Sequence, residues 1–159
     1  MRSMRVRFRG ISVLLLLLVS SIAIDALAQD VESDRLHDGK LLAQQAAMSS
    51  LKGDDSFILR ESWWNGTIVP GAAKLIQQQL FKRNEYQFWF AVPGREAVAS
   101  ISIYNSAGEL VESEEVSFEE SNVASTVVRP DSTGIYYLRI ALTRKTEADE
   151  DWAVIYGWR

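Results

Sequence analysis

The chain has no cysteine and a single histidine among its 159 residues. Without a thiol there can be no disulfide, although small exported domains often lean on them when their cores are thin. A lipid-modified cysteine at a mature amino terminus is excluded for the same reason. One imidazole, His37, leaves a Ser-His-Asp triad or a zinc site poorly supported, since the triad needs a base held in a wider constellation and zinc usually takes several His or Cys ligands. His37 sits between Leu36 and Asp38 and reads as a surface residue.

A full-length membrane span is also missing. The longest apolar run, Ile11 to Ile24, is interrupted by Ser20 and Ser21, and falls short of the roughly 20 apolar residues that cross a bilayer. What precedes and follows it gives it another meaning. Arg2, Arg5, Arg7 and Arg9 form a basic cap, no acidic residue occurs before Asp25, and Ala26-Leu27-Ala28 places small side chains where a signal peptidase requires them. Residues 1–28 therefore read as a cleavable signal peptide, with Ala26, Ala28 and Gln29 marking the cleavage site, and no permanent membrane anchor is expected afterwards.

Basic residues are scarce in what remains. The signal takes four of the 17 Lys and Arg and one of the 21 Asp and Glu, leaving 13 and 20 and a net charge of −7 over 131 residues. That balance argues against nucleic acid, which is bound by neutralising phosphates, and against an anionic membrane surface. The length suits one domain with its own core.

Residues 29–55 are rich in Ala, Gln and Leu, with Leu36, Ala43, Ala47 and Leu51 at near-helical intervals. They read as a helical or partly ordered amino-terminal arm, beginning near Ser33 or only after Gly39, because glycine within a helix costs on the order of 1 kcal/mol against alanine. From residue 56 the period falls to two. Tyr86, Phe88, Phe90 and Val92 alternate with Gln87, Trp89 and Ala91 and suit a strand with one face in a core. Val98 to Tyr104, Val123 to Val128, Tyr136 to Leu142 and Trp152 to Trp158 repeat the pattern. Asn105-Ser106-Ala107-Gly108 signals a turn, with Glu109 to Glu112 as its return strand, and shorter strands are expected at Val116 to Phe118, Phe57 to Arg60 and Thr67 to Val69. Ala72 to Phe81 fits helix or strand; its strand neighbours favour strand. Seven to nine short strands with regular turn signals predict an antiparallel β-sandwich over residues 56–159, a small β-barrel being the alternative.

Gln79-Leu80-Phe81 leading into Asn84-Glu85-Tyr86-Gln87-Phe88, the run Ile101 to Leu110, and Thr133-Gly134-Ile135-Tyr136-Tyr137-Leu138-Arg139-Ile140 resemble the bacterial pre-peptidase carboxy-terminal domain and related jelly-roll sandwiches. The resemblance implies a jelly-roll-like sandwich that is not itself catalytic and usually accompanies a secreted enzyme.

Candidate chemistry is sparse. The acidic runs Glu112, Glu114, Glu115, Glu119, Glu120 and Glu147, Asp149, Glu150, Asp151 lack the Asp-x-Asp-x-Asp-Gly pattern of a calcium loop, and read as charged edges that discourage strand pairing, with a weak cation near Glu147–Asp151 as the sharper alternative. Trp63 and Trp64 precede Asn65-Gly66 at an expected turn; since neighbours on a strand face opposite sides, one ring is expected at the surface, where it could stack on a sugar. No catalytic residue, metal ligand or cofactor is assigned, and an enzyme is not expected. The sequence points to an exported, periplasmic or extracellular, non-catalytic binding module whose partner is a protein or polysaccharide of the cell envelope; the alternative is a carbohydrate-binding module using Trp63 or Trp64.

Overall fold

The alternation of β4 (Tyr86–Ala91) predicts one wet face, yet all six of its residues are buried. The computed structural model, which describes residues 38–143 and 148–159, shows why. The cleavage-site residues Ala26, Ala28 and Gln29, together with His37 and Glu147, lie outside the described residues.

Strand β4 runs antiparallel between β7 (Val123–Val128) and β9 (Glu150–Trp158) in a six-stranded sheet, sheet A. Strand β6 (Ser113–Val116) closes one side of this sheet, and on the other β1 (Ile58–Leu59) and β2 (Trp64–Ile68) pair in turn with β9. Sheet B has three antiparallel strands, β3 (Ala73–Leu80), β8 (Gly134–Thr143) and β5 (Val98–Asn105), with β8 in the middle. The result is an antiparallel sandwich of two separate sheets. Residues 73–80 are strand throughout, as their strand neighbours predict.

The main core lies between the sheets. Phe88, Phe90, Val154 and Tyr156 from sheet A meet Ile76, Leu80, Ile103, Leu138, Ile140 and Leu142 from sheet B. Phe88 stacks on Tyr156 with ring centroids 5.6 Å apart. Each large side chain buried here contributes on the order of 1.5–3 kcal/mol.

The other face of sheet A carries a second core. Ala43, Ala47, Phe57, Trp89, Ala91 and Ile155 pack together there, with Trp89 edge-on to Phe57 at 6.3 Å. The cover is a helix, α1, over residues 38–47. Gly39, Ala43 and Ala47 recur every four residues and are all buried, so α1 presents a smooth stripe to the sheet. A Cβ on Gly39 would lie 3.5 Å from Ala153 and 3.6 Å from the Ala91 carbonyl. The glycine whose low propensity weakens the helix thus sits at a close helix–sheet contact. Gln87, on the same sheet face, donates from Nε2 to Ser125 Oγ at 3.0 Å, satisfying an amide with no access to water.

Two further expectations are corrected. Asn65-Gly66 is not a turn but part of β2, where the Trp152 ring lies across Gly66 and would be 3.4 Å from a Cβ there. The turn after β5 forms as expected: Asn105 Oδ1 accepts the N–H groups of Ala107 and Glu109, and Gly108 has φ of 79°. Its return, however, is a single bridge, Tyr104 with Leu110, rather than a strand over Glu109 to Glu112. Val111 packs against the main core, and the chain then joins sheet A as β6.

Gly39→Ala is expected to stabilise by about 0.5–1 kcal/mol, since the new methyl meets ordinary contacts and the helix gains propensity. Gly157→Ala is expected to cost about 1–3 kcal/mol, because its Cβ would stand 3.0 Å from the Ile58 carbonyl oxygen. Urea midpoints, compared at unchanged slope, read both.

Candidate interaction surfaces

Trp63, just before β2, and Trp64, its first residue, fall on opposite sides of sheet A, as neighbours on an extended chain do. Trp64 turns inward, its ring 5.2 Å from Tyr156 at the rim of the main core. Trp63 packs against the second core, and the Lys40 ammonium of α1 stands 4.6 Å from its ring centroid. Both are half-buried. Trp63 borders a depression of about 310 Å³ that it shares with Lys40, Gln44, Leu59, Arg60 and Glu61.

A wider open groove, about 1100 Å³, runs beside α1. Leu41, Leu42 and Met48 form one wall, Phe118 to Val123 the other, and Lys52, Arg95, Glu119 and Glu120 bring charges of both signs to it. A third depression of about 440 Å³ lies over β6 and holds Glu112, Glu114, Arg129 and Asp131. The acidic run therefore lines the edge of sheet A. Of the second run, Glu150 and Asp151 open β9. The Glu150 carboxylate rests against Gly94, where a Cβ would be 2.8 Å from either oxygen. Among the described residues no three His, Cys, Asp or Glu side chains converge as a metal site requires.

One polar cluster gave no signal in the sequence. Glu85, at the entry to β4, receives Arg159 Nη2 at 2.6 Å and Nε at 3.0 Å on one oxygen, while Arg129 Nε pairs with the other. Arg159 also reaches the Asp55 carbonyl and carboxylate and lies 4.5 Å over the Phe57 ring. The backbones of Glu85 and Arg159 exchange two hydrogen bonds at 3.0 Å. These partners are 74 residues apart, so no local spacing could have announced them. The cluster is a fastening of β4 to β9 and the Asp55 loop.

Among the described residues nothing covers the outer face of sheet B. Across its strands run the rows Gln77–Tyr137–Tyr104 and Leu75–Arg139–Ser102, and its outward residues include no carboxylate. Leu75 and Val98 are more than half exposed on it. A signal for this surface was available: between Glu61 and Glu85 the chain has no acidic residue and carries Lys74, Lys82 and Arg83.

Residues 72–150 match the model of a secretion system C-terminal sorting domain. The matched stretch runs from β3 to the first residue of β9, and so contains all of sheet B but neither α1 nor β1 and β2. No curated protein matches the chain. A domain of that description is β-rich and means export out of the cytoplasm. The basic and apolar amino terminus points to the same destination.

Glu85→Gln is expected to cost about 1.5–3 kcal/mol, the range for hydrogen bonds to charged groups, because the Glu85 side chain is only 11% exposed between its two arginines. Arg129→Ala should cost under about 1 kcal/mol, since Arg129 is 71% exposed. Chemical denaturation of both variants tests the difference.

Proposed function

We propose that this exported domain is a non-catalytic recognition module, whose sandwich is bound by another protein on the secretion route. The observation that carries the reading is the match over residues 72–150, the part of the chain that holds all of sheet B with its uncovered face. A sorting domain works by being recognised, which calls for a stable scaffold and an accessible surface rather than reactive groups. The resemblance to pre-peptidase carboxy-terminal sandwiches supports the same non-catalytic role.

The test is secretion of the full chain with an epitope inserted after Asp30, in a bacterium that carries a secretion system reading such domains. The epitope is expected in the medium or at the cell surface, and in the periplasm when that system is disabled. An identical distribution in both hosts would overturn the proposal.

A second reading rests on the depression at Trp63, where an indole ring is bordered by Gln44, Arg60 and Glu61. Apolar surface with a few polar groups is the composition of a sugar subsite. If the domain binds envelope polysaccharide there, Trp63→Ala should weaken retention at least tenfold. Trp64→Ala should act through stability alone, because its ring belongs to the main core. Equal retention of Trp63→Ala and the parent protein refutes the sugar reading.

A further inference from the structure

A sheet edge offers unpaired N–H and C=O groups to any extended chain that reaches it, and folds ordinarily blunt such edges. Three of the four edges here are managed. Strand β6 is four residues long and carries Glu114 and Glu115. The β1–β2 edge is broken between Leu59 and Trp64 and followed by Pro70. Strand β5 is closed by backbone bonds from Ala99 N to Ser121 O, from Val111 N to Ile103 O and from Asn105 N to Glu109 O.

Strand β3 is the exception. It is eight residues long, contains neither proline nor glycine, and among the described residues pairs with β8 alone. The register shows which groups it leaves open. The bonds of Ala99, Ile103 and Asn105 point the odd-numbered residues of β5 away from β8. Even-numbered β5 residues therefore bond the odd-numbered residues of β8, whose even-numbered residues bond the even-numbered residues of β3. Leu75, Gln77 and Gln79 are left with N–H and C=O directed outward. Among the described residues the Gln79 carbonyl is met only by the side chain of its neighbour, Gln78 Nε2, at 3.1 Å, an exposed bond that an incoming strand can replace.

Charge indicates the occupant. Lys74 lies near the start of the edge and Lys82 and Arg83 just beyond its end, on a stretch free of acids in a chain of net charge −4. None of the three forms an ion pair among the described residues. Arg83 is held at φ of 79°, in the left-handed region that a non-glycine residue adopts only at a cost. A second copy pairing antiparallel through β3 would bring Lys74 toward Lys82 or Arg83 of its mate, and like charges facing across strands repel. An acidic segment meets the opposite situation.

Resting on the reading of the domain as a recognition module, we propose that β3 is the docking edge, and that its occupant is an extended segment of a partner protein carrying carboxylates about eight residues apart. The segment adds as a fourth strand to sheet B, bonded to Leu75, Gln77 and Gln79. Carboxylates near its ends meet Lys74 and Lys82–Arg83, roughly 26 Å apart at the rise of a strand, and alternate side chains cover Leu75.

The test uses the purified mature protein and two ten-residue peptides of alternating valine and threonine, one ended by aspartates and one by lysines. The aspartate peptide is expected to bind at least tenfold more tightly at low salt, and to slow amide exchange at Leu75, Gln77 and Gln79 with no change at Gln78. Lys74→Glu combined with Arg83→Glu should reverse the preference. Gln77→Pro removes an outward N–H and no bond to β8, so it should keep the melting temperature and lose at least tenfold in affinity. Absence of binding at 1 mM, protection elsewhere, equal affinity for both peptides, or a free protein already dimeric through β3 would each overturn the proposal. The two readings fail separately. Secretion without peptide binding removes the edge site and leaves the recognition module, whereas binding without system-dependent secretion does the reverse.

Discussion

Everything in this fold depends on the close seating of α1 against β4 and β9. Gly39, Ala43 and Ala47 give the helix a stripe without bulk, and Trp89, Ala91 and Ile155 give the sheet a face that water cannot be allowed to reach. Removing the helix would expose an indole, an isoleucine and a phenylalanine on the most buried sheet of the molecule. The main core alone would then have to hold a sheet designed to be covered twice. In a chain without disulfides, that second layer of burial replaces the covalent staple on which many exported domains of this size rely.

The two sheets consequently differ in kind. Sheet A is enclosed on both faces; inside it Gln87 pairs with Ser125, while the buried indole N–H groups of Trp89 and Trp152 have no hydrogen-bond partner among the described residues. Among the described residues sheet B is enclosed on one face only, and its outer surface mixes tyrosine, glutamine, serine and one arginine. Enclosure supplies rigidity, and openness supplies a place to be bound. The Glu85 cluster belongs to the rigid half, since it ties the entry of β4 to β9 and the Asp55 loop.

Much of this could be read from the sequence. Alternation in Tyr136 to Leu142 and Ile101 to Ile103 reports side chains that do face one core, and the turn at Asn105–Gly108 follows from residues whose backbone preferences are local. Period two says nothing, however, about what lies on the second face. Gln87, Trp89 and Ala91 pass as an amphipathic strand's outer side until the helix is seen above them. Gly39 reads as a helix breaker because propensity is local, whereas its burial is set by Ala153, 114 positions away. Asn65-Gly66 has the composition of a turn, but the glycine is there to admit the Trp152 ring. Of the surfaces, the Trp63–Trp64 pair stood out in the sequence, but which ring would face outward was not legible, and both are half-buried. The open edge was not legible either, because an edge is defined by the absence of a neighbour, and pairing between distant strands carries no local mark.

The contact between Gly39 and Ala153 also bears on the order of events in folding. The second core cannot close until β9 has been delivered, so the helix waits for a strand more than a hundred residues downstream. Folds dominated by such distant pairings form slowly. For a chain that leaves the cytoplasm, slowness is an advantage. A domain that cannot finish early stays threadable during its passage and locks only once its last strand has arrived.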